Sequence, residues 1–215
     1  MPNDLISDPS VWNAGVRHLS KGDRTMSRLI RALPARKMTL HANHFGSLVT
    51  AIIFQQISGS AGDSIMRRFK SIYGGKVPTP RVFLATEESK VRGAGVSPQK
   101  YSYLKDLSER IEDGRLELRR FWEMPDSEVA AELDEVRGIG RWTAEMFLIF
   151  TLGRKDVLPV DDLGLRKALM RAYRLRTLPS EKRFRGIAKS WHPYCTIASL
   201  YLWQSLDSEK TGQNW

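Results

Sequence analysis

The sequence predicts an all-α protein, on three observations. Segments with apolar residues at helical spacing follow one another along the chain, glycine and proline pairs fall between them, and no alternating run is long enough to propose a sheet. In order, helices are expected over 9–19, 25–33, 44–57, 59–73, 86–93, 97–113, 126–136, 141–152, 163–173, 180–190 and 193–205. The third carries Leu48, Ile52 and Ile53 as core positions. Gly74-Gly75 and Pro78-Thr79-Pro80 break the chain after the fourth, where a turn is needed. Ser97-Pro98 is a cap followed by a first-turn proline, and Asp126 is a second helix start. No internal repeat or low-complexity linker interrupts this succession.

Composition narrows the function classes. The chain of 215 residues permits a substantial core in one or two small domains. It carries 34 Lys and Arg against 24 Asp and Glu, a formal net charge of +10, which fits a phosphate-bearing partner. Much of the excess is local. Nine basic residues between Leu163 and Pro193, among them Arg166, Lys167 and Arg171, face only Glu181. Such runs are usually solvated helix faces, so a minority of them is expected to touch a ligand. The single cysteine, Cys195, leaves no disulfide within the chain and suits a reducing compartment. The opening MPNDLISDPSVW lacks a basic start followed by an apolar run, and no stretch reaches the length of a membrane span. A soluble protein of the cytoplasm, on the nucleoid, or of the nucleus in a eukaryote, is expected, with no membrane partner.

The most specific segment is Leu133 to Ala144, LDEVRGIGRWTA, followed by Pro159-Val160-Asp161-Asp162. A polar segment ends at Val136, Gly138-Ile139-Gly140 follows, and Met146, Phe147 and Phe150 then recur at helical spacing. This reads as helix, tight turn, helix. The glycines allow the backbone to approach a ligand closely, and amides at a positive helix start bind phosphate. Gly-x-Gly alone would also suit an ordinary turn between helices. The longer pattern, apolar-x-Gly-Ile-Gly-x-x-Thr-Ala, is much rarer than that tripeptide.

Residues 133–162 resemble the helix-hairpin-helix plus Gly/Pro-Asp signature of the HhH-GPD DNA glycosylase superfamily, and within it DNA-3-methyladenine glycosylase II most closely. The likeness extends back through Leu48 to Ile57, LVTAIIFQQI, and Gly95 to Lys100, GVSPQK, and covers about residues 43–205. It implies a two-lobed helical fold with the active-site cleft between the lobes. One lobe would join 1–43 with 159–215, and the other would be 44–158, containing the hairpin at about 133–150. Only about 43 residues precede the first matching helix, so a compact version without an N-terminal mixed sheet is expected.

The resemblance assigns Asp162 as the catalytic carboxylate. Read without the hairpin, Asp162 is better taken as an N-cap for the helix after it; with the hairpin, catalysis is the stronger reading, and both roles can coexist. Trp142 stands where relatives that nick DNA carry a nucleophilic lysine, so no Schiff-base route to strand cleavage is expected. The same tryptophan would belong to an aromatic base pocket with Tyr194, Met146 and Gln55, although core packing would also account for it. Met146 departs from the aromatic residue the family has there, which leaves the base specificity open. Gln56, with Ile57 beside it, is the candidate wedge that fills the space of an extruded base, with helix capping as the alternative for Gln55 and Gln56. Gly138, Gly140, Arg141, Thr143, Lys100 and Arg166 are the candidate contacts to the DNA backbone.

The function implied is hydrolytic removal of alkylated purines, 3-methyladenine with 7-methylguanine or ethenoadenine as further substrates, from double-stranded DNA, by a monomer that needs no cofactor. An iron-sulfur cluster is excluded because it needs four cysteines. His18, His41, His44 and His192 show no metal-ligand spacing, and His41 and His44 read as a solvated loop. No side-chain metal site is therefore expected, although an alkali cation at the hairpin carbonyls is compatible with the family. Two rival readings are a noncatalytic DNA-binding damage sensor of the same fold, which would have no reason to keep Asp162, and a lyase for oxidised bases, which Trp142 disfavours.

Overall fold

The computed structural model describes residues 5–34 and 38–210, with side chains described through 206; the remaining positions, part of the expected terminal lobe, lie outside the described residues. Among the described residues there are twelve α-helices, one short 3-10 helix at Arg120–Trp122 and no strand beyond an isolated bridge between Leu5 and Arg154. The helices are α1 Pro9–Gly22, α2 Arg24–Ala32, α3 His44–Phe54, α4 Gly59–Ser71, α5 Pro80–Leu84, α6 Glu88–Gly93, α7 Pro98–Glu112, α8 Asp126–Asp134, α9 Arg141–Phe150, α10 Leu163–Ala172, α11 Glu181–Ala188 and α12 Cys195–Lys210. The all-α expectation holds.

Two compact units result, residues 1–40 with 148–215, and residues 41–147. The division falls inside α9, so 148–158 groups with the terminal unit and not with the central one as the sequence suggested. In the terminal unit α1 and α2 pack on α12, and α12 packs on α10. Their shared core includes Leu19, Met26, Leu29, Leu165, Leu169, Trp191 and Leu200, none more than 1% exposed. Distant chain ends therefore share one core, a pairing that no local pattern encodes. In the central unit α3 packs on α4 and α7, and α5 and α6 pack on α7.

Local chemistry sets the helix starts. Asp8, Asp23, Asn43, Ser58, Thr79, Ser97, Asp162 and Ser180 each accept a backbone amide as N-cap, an interaction typically worth about 1 kcal/mol. Thr79 with Pro80 at the first turn starts α5, a helix absent from the sequence reading, which took Pro78-Thr79-Pro80 only as a break. Proline is preorganised for the first helical turn, so the same residues stop one element and start another. Helix α3 ends at Phe54, earlier than expected, and Gln56 takes a left-handed φ of 56°. His44 is also not solvated: its ring is buried, Nδ1 lies 3.1 Å from the Leu118 carbonyl, and it packs against Trp122 and Phe147. Burial pushes its pKa below the ordinary 6.5.

Candidate active site and nucleic-acid interface

In the central unit, the residues between α8 and α9 form the hairpin, with Gly138 at a φ of +78°. A side chain there would be doubly excluded, because a Cβ would lie 2.1 Å from the Tyr103 ring on α7. Gly140 differs. A Cβ on it would meet nothing within 4 Å, so no neighbour in the protein requires glycine there, and its face is open to a ligand. Two other elements lock the turn. The Arg137 amide donates to Asp106 Oδ2 on α7 at 2.9 Å, and Gln55 Nε2 donates to the Gly138 carbonyl at 2.7 Å. Tyr103 and Asp106 are thus hairpin residues that sequence reasoning missed, since neither belongs to the motif. The Gly138 carbonyl already accepts from Gln55 and the Val136 carbonyl from the Ile139 amide, so an alkali cation would use the second lone pair of each oxygen.

The side chains around this turn divide by exposure. Trp142 is 45% exposed at the start of α9, which removes core packing as its explanation. Thr143 is buried, Met146 half-buried, and Arg141 pairs with Glu145 at 3.0 Å while keeping an exposed guanidinium. Gln55, through its bond to Gly138, has a positioning duty whatever else it does. Gln56 is exposed at its left-handed backbone and Ile57 half-buried, so the chain presents the glutamine outward directly after α3. Lys100, expected at the DNA backbone, has a partner within the protein. Its ammonium donates to the Ile53 carbonyl at 2.7 Å, closing the C-terminus of α3, and desolvation lowers its pKa.

In the terminal unit, Asp162 is the N-cap of α10, as the simpler sequence reading allowed. Its Oδ1 accepts from the Leu165 amide at 2.6 Å and from the Trp203 indole Nε1 at 2.9 Å. Trp203, on α12, lies beside Phe150 with ring centroids 5.9 Å apart, so the donor that orients the carboxylate is itself held by packing. No motif pointed to Trp203. A Cβ on Gly164 would lie 3.2 Å from Asp162 Oδ1, so the small residue keeps that approach clear. Beside the carboxylate, Leu163 is 52% exposed, an apolar side chain left in solvent next to a charged group. Arg166 turns back, donating through Nε and Nη2 to the Pro179 carbonyl at 3.2 and 2.8 Å, so it braces the loop before α11. Tyr194 is half-buried, packed against Gly15 and His18 with the Lys155 ammonium 5.8 Å from its ring centroid. Nearby, Asp156, His192 and Cys195 bring three potential metal-ligand atoms within 4.8 Å of one another. The expectation of no side-chain metal cluster missed this arrangement because Asp156 lies 36 residues from His192 in the chain.

This chain is similar to repair enzymes along most of its length. It is 33% identical over 194 residues to DNA-3-methyladenine glycosylase 1 of Schizosaccharomyces pombe, spanning 87% of this chain and 85% of that protein. The solved structure of 3-methyladenine DNA glycosylase Mag1 from that yeast, in complex with abasic DNA, matches with a TM-score of 0.80 and 32% identity, over 90% of this chain and 97% of that one. A DNA-3-methyladenine glycosidase from Bacillus halodurans matches with a TM-score of 0.83 and 31% identity, over 98% and 95%. The family model described as HhH-GPD superfamily base excision DNA repair protein matches residues 49–193, more than half of the chain, and the protein belongs to that family.

Proposed function

We propose that this protein is a monofunctional DNA glycosylase that hydrolyses the N-glycosidic bond of alkylated purines, 3-methyladenine foremost, in double-stranded DNA, acting as a monomer. The observation that carries the reading is Asp162, a carboxylate at the start of α10 whose Oδ1 accepts a helix amide and an indole. The substrate class rests on the relatives named above, whose names specify 3-methyladenine.

The chemistry asks little of the protein beyond charge placement and access. The C1′–N bond breaks with its electron pair leaving on the base, which departs neutral if it was a cationic N-alkylpurine, and the sugar becomes an oxocarbenium-like cation. A carboxylate about 4 Å from that cation contributes on the order of 4 kcal/mol at an intermediate effective dielectric, roughly a thousandfold in rate. Water then adds at C1′ and loses a proton, for which Asp162 is the acceptor we assign. The aromatic faces of Trp142 and Tyr194 suit a cationic base, at roughly 0.5 to 2 kcal/mol for such a contact. Met146, half-buried one turn after Trp142 on α9, is assigned to the base with it. Extruding the base costs a few kcal/mol, and Gln56, exposed on its left-handed backbone, is the wedge that occupies the vacated space, flanked by Ile57. The open backbone at Gly140 and the start of α9 hold a phosphate, on the turn that Gly138 allows and with Arg141 beside it. Lys100 and Arg166 act by bracing α3 and the loop before α11.

The test is chromatography of free bases released from methylated duplex DNA by the purified protein, with strand cleavage followed on the same substrate. Release of 3-methyladenine leaving intact abasic strands is expected. Tight binding of the duplex with no base released from methylated, deaminated or ethenoadenine DNA would establish a damage sensor instead, and cleavage of the strand would reverse the assignment of a purely hydrolytic enzyme.

A further inference from the structure

We propose that Asp156, His192 and Cys195 form a binding site for a borderline-soft divalent transition metal of the zinc type, separate from the catalytic carboxylate. The donors come from the segment after α9 and from the turn into α12, the first residue of which is Cys195. Asp156 Oδ2 lies 2.9 Å from His192 Nδ1, and Cys195 Sγ lies 3.5 Å from the same nitrogen. Zinc bonds of about 2.3 Å to sulfur and about 2.05 Å to nitrogen at a tetrahedral angle place the two ligand atoms about 3.5 Å apart. The sulfur and imidazole therefore already stand at ligand separation. The carboxylate would open by a few tenths of an ångström from the imidazole nitrogen, and all three ligand atoms lie within 4.8 Å of one another.

Further features favour an ion over a simple polar cluster. Carboxylate, imidazole and thiolate are three donor types that zinc accepts together, and two anionic ligands with one neutral imidazole balance a divalent charge. Asp156 Oδ1 accepts the Cys195 amide at 3.1 Å, which fixes the carboxylate with Oδ2 toward His192, as outer hydrogen bonds do for metal ligands. Cys195 opens α12, at the positive end of the helix dipole, while burial and the Asp156 carboxylate push its thiol up, so a bound ion would have to displace that proton to solvent. Access is graded: Cys195 is fully buried, while the side chains of Asp156 and His192 are 32% and 52% exposed. An ion would enter past the imidazole, meet sulfur at the floor, and keep solvent as its fourth ligand. Asp156 Oδ2 and Cys195 Sγ both lie against the same imidazole nitrogen, which also argues against a Cys-His-Asp nucleophile, because that relay uses both ring nitrogens. Occupied, the site would clamp the segment leading to Asp162 against the turn that carries Tyr194.

Cobalt titration of the reduced, metal-free full chain reads this directly. Cys195 is the only cysteine, so a thiolate-to-cobalt charge-transfer band has one source. Wild type is expected to saturate at one equivalent, with the intense visible bands of a tetrahedral ion and with zinc displacing cobalt. Cys195→Ser should lose the charge-transfer band, and His192→Ala should bind at least about tenfold more weakly, with circular dichroism confirming folded helices. Wild-type protein that takes up cobalt without the thiolate band, or takes up none, overturns the site without reference to either variant. Equal cobalt affinity in wild type and folded His192→Ala overturns the ligand set.

Discussion

Asp23 and Asp162 occupy the same position in two helices of the terminal unit and do different work. Each is an N-cap, and each accepts an indole from the C-terminal part of the chain. Asp23 uses both oxygens structurally: Oδ1 takes the Thr25 and Met26 amides at 2.8 and 3.1 Å, while Oδ2 takes the Trp191 indole at 3.2 Å and the Tyr173 hydroxyl. Asp162 gathers its helix amide and the Trp203 indole on Oδ1 and has the exposed Leu163 next to it. The Trp191 ring that meets Asp23 is buried and packs against Phe184, and burial pushes the Tyr173 hydroxyl well above its ordinary pKa. The lesson is that an aspartate before a helix is not informative alone. The surroundings of the cap separate the two: aromatic donors on Oδ2 at Asp23, an exposed apolar neighbour at Asp162.

That contrast can be broken by exchange to asparagine, which keeps capping ability. Asp162→Asn should lower base release at least about a hundredfold, with DNA binding and melting nearly unchanged. Asp23→Asn should do the reverse. Its amide nitrogen would face donors of Trp191 or Tyr173, and a buried donor left unsatisfied costs about 1 to 3 kcal/mol, seen as a lower urea midpoint with a near-normal rate in the fraction that stays folded.

Smaller effects sharpen the account. Trp203→Phe keeps the packing against Phe150 but removes the donor to Asp162, so the rate should fall about fivefold, the loss for one hydrogen bond of about 1 kcal/mol, while substrate affinity changes little. Gln56→Gly suits the left-handed backbone and removes the wedge. Base release from duplex should fall while release from single strands is spared; equal losses on both would assign Gln56 to another step. The smallest effect concerns two cations. Arg141→Ala should weaken binding on every DNA sequence and reduce the logarithmic salt slope by about one. Lys100→Ala should leave that slope unchanged and lower stability instead, because its ammonium closes α3.

Much of this was legible in the sequence for identifiable reasons. Helix starts could be read because capping is local: Ser97-Pro98 and Asp126 lie at or beside observed helix starts. The hairpin was legible because Gly138 must be glycine for two independent reasons, its φ and the Tyr103 ring. The partners were not. Trp203, Tyr103 and Asp106 are ordinary residues at unremarkable spacings whose roles exist only once helices pack. Lys100 and Arg166 were placed beside the right motifs, but their carbonyl partners were not legible, since a basic residue in sequence does not show which backbone oxygen it will meet. Asp156 escaped for the same reason, being brought to His192 by tertiary structure.

The most direct measurement compares single-turnover release of 3-methyladenine from methylated duplex DNA by wild type, Asp162→Asn and Asp23→Asn, with thermal melting of all three. The account predicts a rate loss of at least about a hundredfold confined to Asp162→Asn and a stability loss confined to Asp23→Asn. Wild-type release that persists undiminished in folded Asp162→Asn would contradict it.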